Sequence, residues 1–394
     1  MTDLAAPAPA VDPLHLPDLW ELEPGTMTYV NHGAFGRVPL TVRAERRSWQ
    51  ELIDANPMGY FRRRAGRELD RSRLAIARFL GSDDQGVAFT QNTTTGIATV
   101  LASLPLGPGD RILVTDHIYG AVRWNADLAA RRTGAVVDEV AVPLAANDEE
   151  MIETILAGVR EGTKYALLDH ISSATAKLFP LERIIAALHE RGVKVIVDAA
   201  HSPGSVPVNL STLGADYWAG NLHKWAGAPR GTASLYASPE LRANLKPVPL
   251  SWREPEGFPN SFSNVGTVDQ TAWLAAPAGL AFFEKLGWEA VRGYNNTLAR
   301  TGQLLIAEAI GASLEGMPGE DADEYPLPMR LIPLESVPAE EDACVALTDR
   351  LAEEYLIECP VMPWNGRALL RICAQLYNST TCYERVAEAL QNLL

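Results

Sequence analysis

Two residues twenty-six positions apart suggest the chemistry of this chain: Asp198, which closes the apolar run 193–197, and Lys224, in the segment GNLHKW. The run VKVIV is short and β-branched, so it reads as a buried strand. A carboxylate at the end of such a strand is costly unless a cation meets it. An Asp that can hold a protonated ring nitrogen, with a downstream Lys that can form an imine, is the pairing that pyridoxal phosphate chemistry requires. Each residue also has an ordinary explanation, a loop cap for Asp198 and a surface amine for Lys224. Their surroundings decide between the two.

The elements around them repeat one pattern, a buried strand followed by a polar cluster. The strand GVAFT leads into QNTTTGIATVL, where Asn92, Thr93, Thr94 and Thr95 precede an apolar-periodic run. That is a helix N-terminus, with unpaired amides and a positive dipole end suited to phosphate. Capping explains one threonine, and Thr93 and Thr94 are assigned to the phosphate. ILVT is followed by Asp116-His117, with Tyr119 close behind, and the strand of 164–169 is followed by His170 and Ser172-Ser173. Strands alternating with helices over 85–240 predict βαβ units and a mainly parallel sheet, with sites at the carboxyl ends of its strands.

Composition narrows the partners. A net charge of -15 offers no basic stripe for nucleic acid, and the one basic cluster, Arg62-Arg63-Arg64 with Arg67, reads first as a solvated helix face. No stretch approaches a membrane span, and the start of the chain lacks the basic and apolar regions of a secretory signal. The four cysteines, Cys344, Cys359, Cys373 and Cys382, form no CxxC pair and have no histidine cluster around them. The expectation is a cytoplasmic protein with reduced thiols and no metal.

VDAAHSPG and GNLHKW, in this order and with the motifs above, resemble the class V aminotransferase-like enzymes of pyridoxal phosphate fold type I. The branch is that of isopenicillin N epimerase, with C–S lyases of the ergothioneine and lincosamide type. The resemblance runs from about Tyr29 to the C-terminus. It implies that Lys224 carries the cofactor and serves as base at the substrate α-carbon, and that Asp198 holds the ring nitrogen. It further implies that His117 stacks on the ring, with Tyr119 as the alternative. Ser173 and His201 are implied to meet the 3-hydroxyl side or the substrate, and Asn221, His223, Thr93 and Thr94 complete the cofactor site. In NVGT, Thr267 is implied to meet the phosphate of a partner subunit, which makes a homodimer. Asn31 and Gly33 of the NHG segment, and Arg371 on a late strand, are implied to bind the substrate carboxylate, a task that suits a planar guanidinium fork.

The expected fold is α/β: a large domain over 26–270 with a seven-stranded, mainly parallel sheet, and a smaller C-terminal α/β domain over 271–394, after an N-terminal segment of 1–25. The expected partner is a small-molecule amino-acid substrate, with no nucleic acid and no membrane. The expected reaction, through an external aldimine, is C–S cleavage by β-elimination of a cysteine S-conjugate in lincosamide-type secondary metabolism. Epimerisation, transamination and decarboxylation-coupled oxidative deamination are the alternatives. Cys359 lies in the strand-like run YLIECPVMP, which argues for a buried side chain and against a desulfurase nucleophile. The Arg- and aromatic-rich stretches 56–67 and 250–262 are the candidates for meeting a substrate tail.

Overall fold

Runs of Val, Ile, Leu and Ala recur between residues 87 and 237, separated by helices and turns, and burial of both their faces makes them one central sheet. The structure is a computed structural model and describes residues 17–20, 27–320 and 325–394. It divides into two units, one of residues 41–280 and one joining 1–40 to 281–394. Of the expected N-terminal segment only 17–20 lie within the described residues. The boundary thus falls inside the helix Thr271–Leu286 rather than at its start.

Strand β1 (Thr28–Tyr29) belongs to the second unit. The first unit holds β2 (Val87–Thr90), β3 (Arg111–Thr115), β4 (Val136–Val140), β5 (Thr163–Asp169), β6 (Lys194–Asp198), β7 (Tyr217–Asn221) and β8 (Ala233–Ala237). They form the expected seven-stranded sheet in the order β2-β8-β7-β6-β5-β3-β4. Only β8 runs antiparallel to its neighbours. The chain goes from β3 out to the edge strand β4, then returns to place β5 on the other side of β3. That reversal opens a crevice at the carboxyl ends of β3 and β5, the place where such sheets bind ligands.

Helices cover the strands because their apolar residues keep helical spacing. In Leu181–His189 the buried residues are Leu181, Ile184, Ile185 and Leu188, at i, i+3, i+4 and i+7. Each such burial contributes about 2 kcal/mol. Residues 40–79, expected as two helices and a break, make three: Leu40–Ala55, Pro57–Arg63 and Ala65–Phe79. Asn56 explains the division, since its carboxamide accepts from the Gly59 amide and Pro57 takes the first helical position.

The second unit contains β9 (Met329–Pro333), β10 (Ile357–Glu358), β11 (Val361–Trp364) and β12 (Arg367–Cys373). β12 lies between β11 and β9 in an antiparallel sheet, while β10 pairs with β1. Both ends of the chain share this unit because β1 and Val30 dock on its late strands: the Cys373 amide donates to the Val30 carbonyl at 2.7 Å. Trp20 adds edge-on aromatic contacts to Phe282 and Tyr377.

Packing fixes the turn that carries Lys224. A Cβ on Gly279 would lie 2.6 Å from the Ala226 carbonyl oxygen, and one on Gly204 the same distance from the Trp225 backbone. Gly204 also sits at φ +95, which L side chains avoid. Gly279→Ala is therefore expected to lower stability in urea unfolding by about 1–3 kcal/mol, the usual range for overpacking against backbone. An unchanged midpoint would show that the turn can move aside.

Candidate active site

Three elements of the first unit present the polar groups of the crevice. At the end of β2, Asn92 caps the helix Thr93–Ser103 by accepting from the Thr95 amide at 2.8 Å. The Thr93 amide donates to Asn221 Oδ1 at 2.9 Å, which ties the helix start to the end of β7. The Thr93 hydroxyl is buried and has no hydrogen-bond partner among the described residues. A dry, unpaired hydroxyl at a helix N-terminus is an unmet donor where an anion is stabilised. Thr94, half-buried, lines a groove of about 540 Å3 with Asn125 and Arg132.

β6 ends on Asp198, which is 3 % exposed and accepts from the Ala200 amide at 3.0 Å. Burial raises its pKa to about 6, against the lowering effects of that amide and of the Lys224 charge. Lys224 stands in the turn after β7, with Nζ 3.1 Å from Nε2 of the buried His201. The ring of His223 donates from Nδ1 to the Thr232 carbonyl at 2.8 Å, and burial lowers its pKa to about 4, so it is neutral at pH 7. Asp198, His201, Asn221, His223 and Lys224 therefore all sit within the segment 198–224, at the carboxyl ends of β6 and β7. Ser173 lies half-buried in the turn after β5.

His117 is placed differently from the expected stacking group. Its Nε2 is 2.8 Å from the Val142 carbonyl, which can only accept, so that nitrogen carries the hydrogen. Nδ1 then accepts from the Thr175 hydroxyl at 2.6 Å, and Thr175 lies 2.5 Å from Ser172 Oγ. Desolvation lowers the His117 pKa and keeps the ring neutral. The side chain is fully enclosed, with Phe179 edge-on at 5.6 Å, so no ring face is open to a ligand. Tyr119, two residues on, is 48 % exposed. The sequence singles out the pair Ser172-Ser173 after β5 but not Thr175, which joins Ser172 to His117.

In the second unit, Arg371 on β12 is buried and donates to Asn31 Oδ1 at 3.2 Å, joining residues 340 positions apart. The Gly33 amide points at Cys373 Sγ, 3.4 Å away, so the NHG segment lies along β12. Thr267 is exposed. The guanidinium of Arg253, a candidate for a substrate tail, is already engaged by Glu256 at 2.6 and 2.8 Å. Arg67 and Arg71 bond to the buried Glu68.

Pyridoxal phosphate fits this donor set: a carboxylate for a ring nitrogen, a lysine for an aldehyde, and a helix N-terminus with an unpaired hydroxyl for a phosphate. The fold and the residues define a pyridoxal phosphate enzyme of fold type I. The aminotransferase class-V family model matches residues 38–324, and the chain belongs to that family. It is 29% identical to L-cysteine desulfhydrase of Arabidopsis thaliana, over 93% of this chain and 87% of that one. It is 28% identical to isopenicillin N epimerase of Streptomyces clavuligerus, over 93% and 95%. Among solved structures, the complex of the cystine C–S lyase C-DES with cysteine persulfide superimposes with a TM-score of 0.79 at 22% identity, covering 93% of this chain and 98% of that one.

Thr93→Val is expected to act in opposite directions on the two forms of the protein. The apoprotein should keep or raise its Tm, because a buried unpaired hydroxyl is replaced by a methyl. The cofactor dissociation constant should rise about tenfold, the value of one hydrogen bond of about 1.4 kcal/mol. Equilibrium dialysis and thermal scans of the apoprotein separate the two effects.

Proposed function

We propose that the protein is a lyase that breaks the C–S bond of a cysteine S-conjugate by β-elimination. Bound cofactor supplies an electron sink that acidifies the substrate α-hydrogen. Lys224 takes that proton, and His201 at 3.1 Å from its amine orients it and shares its hydrogen bond. The electron pair left at Cα forms the Cα=Cβ bond, and the sulfur leaves Cβ as a thiolate with the C–S pair. Hydrolysis of the released enamine gives pyruvate and ammonia. Asp198 holds the proton of the ring nitrogen, and the Thr93 helix end receives the phosphate with Thr94, Asn221 and His223. Tyr119, rather than the enclosed His117, is the stacking group. Arg371, oriented by Asn31, takes the substrate carboxylate. Thr267 serves the cofactor of a partner subunit, which makes the protein a homodimer.

The observation that carries elimination over persulfide-forming desulfuration is the state of the cysteines. Cys344, Cys359 and Cys373 are buried, and Cys382 is half-buried. Burial pushes the Cys359 thiol far above its ordinary range, so it cannot serve as a thiolate nucleophile near pH 7. Likeness to a desulfhydrase agrees with this reading, and four cysteines that are all free support a cytoplasmic setting for the reaction. Likeness to isopenicillin N epimerase over 93% of the chain supports epimerisation as the second reading. The finer assignment is an S-conjugate of lincosamide-type metabolism.

The test is incubation with S-substituted cysteines in D₂O, following pyruvate, thiol and α-deuteration by mass spectrometry. Pyruvate and thiol in equal amounts, lost in Lys224→Ala, are the expected result. Deuteration with racemisation and no pyruvate would instead establish the epimerase. Carbon dioxide with an aldehyde would establish decarboxylating deamination.

A further inference from the structure

A second carboxylate stands beside Asp198. β5 and β6 are parallel neighbours, and Asp169 is the register partner of Asp198. Paired residues of adjacent parallel strands project on the same face, about 5 Å apart. Asp169 is 3 % exposed, and its Oδ2 is buried with no hydrogen-bond partner among the described residues. The His170 amide donates to the Asp198 carbonyl at 2.8 Å, so the strands remain joined up to this pair. Two buried carboxylates at this separation cannot both be ionised cheaply.

The surroundings decide which one keeps a proton. Asp198 has the Ala200 amide and the Lys224 charge on its side, and both favour its ionised form. Asp169 has only its own backbone amide, while burial and the Asp198 charge both favour its protonated form. From β3, the residue paired with Leu167 is the apolar Val114. Asp116, beyond the end of β3, turns its carboxylate to the Val142 amide at 2.9 Å and lies 3.7 Å from His117 Nε2. His170 is held at Nδ1 by Ser202 at 2.9 Å.

We infer that Asp169 is a positioning residue that stands beside Asp198 as a neutral carboxylic acid, so that the pair carries one proton and one negative charge. This rests on the assignment of Asp198 to the cofactor ring nitrogen. The acid proton of Asp169 has the Asp198 carboxylate as its available acceptor. A carboxylate that accepts such a bond is a weaker base, and Asp169 thereby sets how firmly Asp198 holds the ring-nitrogen proton.

Infrared spectra of the apoprotein test the protonation state without reference to the cofactor or to activity. At pH 7 the wild type should show the carbonyl stretch of one buried protonated carboxylic acid, and Asp169→Asn should lack it. Absence of that band in the wild type would overturn the proposal, whether or not the variant folds. The holoprotein supplies the functional readout through the pH titration of its cofactor absorbance. Asp169→Asn, a neutral donor of the same shape, should leave the cofactor dissociation constant within about twofold and the midpoint in place. Asp169→Leu, which removes the donor, should move the midpoint by about one pH unit. A tenfold weaker cofactor affinity in Asp169→Asn would show that the residue acts as an anion. A holoprotein with no cofactor absorbance would defeat the assignment of the site and leave the infrared result standing.

Discussion

The carboxyl edge of the parallel sheet is organised by the difficulty of keeping negative charge dry. Asp198 is ionisable, almost fully enclosed and placed at the end of a strand whose three preceding residues, Val195, Ile196 and Val197, are apolar and buried. Such a group persists only where amides and cations offset its desolvation. The Ala200 amide and the Lys224 charge do part of this, and a pKa of about 6 shows that they do not do all of it. The shortfall leaves a place for one more cationic partner beside Asp198, which the proposed contact with a protonated ring nitrogen would supply. The same shortfall forbids a second charge on the neighbouring strand, so the state of Asp169 follows from that of Asp198.

Around this pair the wall of the crevice is polar, and its groups are hydrogen-bonded to one another. His117, Thr175 and Ser172 form a chain of hydrogen bonds closed at one end by the Val142 carbonyl. Lys177, a buried cation near the same chain, is satisfied by the carbonyls of Leu144 and Ala146 at 2.9 and 2.7 Å. Burial brings its pKa down to about 8, which agrees with a site that tolerates few net charges. These bonds pin the loop 142–146 to the turn after β5, giving the crevice a rigid side. Satisfied walls of this kind help hold the Lys224 amine at one distance from His201, as its proposed role as base requires.

Much of this was legible in the sequence for a definable reason. Strand burial and the polar helix start at 92–95 are local patterns, and they folded as local patterns predict. Roles that depend on contacts between distant segments were harder to read. The enclosure of His117 is set by Val142 and Thr175, 25 and 58 residues away, and nothing in the string TDHIY announces it. The engagement of Arg253 by Glu256 was readable in principle, since the two are three residues apart, but aromatic neighbours drew the eye to ligand binding. The membership of the first residues in the C-terminal unit was not readable, because β1 is two residues long and its partner is 329 positions away.

That membership has a consequence for the substrate. Asn31 and Arg371 belong to one unit and meet through a neutral acceptor, so the hydrogen bond orients the guanidinium without cancelling its charge. Their relative position is set by backbone bonds on both sides: the Val30 amide to the Glu358 carbonyl at 3.1 Å and the Cys373 amide to the Val30 carbonyl. Behind them, His32 bonds Tyr377 at 2.7 Å through Nδ1, and the Gln375 carboxamide, whose oxygen accepts from Asn295, turns its nitrogen to His32. A nitrogen that faces a carboxamide NH₂ must accept, so His32 carries its hydrogen on Nδ1 and donates it to the tyrosine oxygen. The NHG segment is thus held by a buried network rather than by loop packing alone. A segment so built resists displacement, which suits the carboxylate-binding role proposed for Arg371 and Asn31.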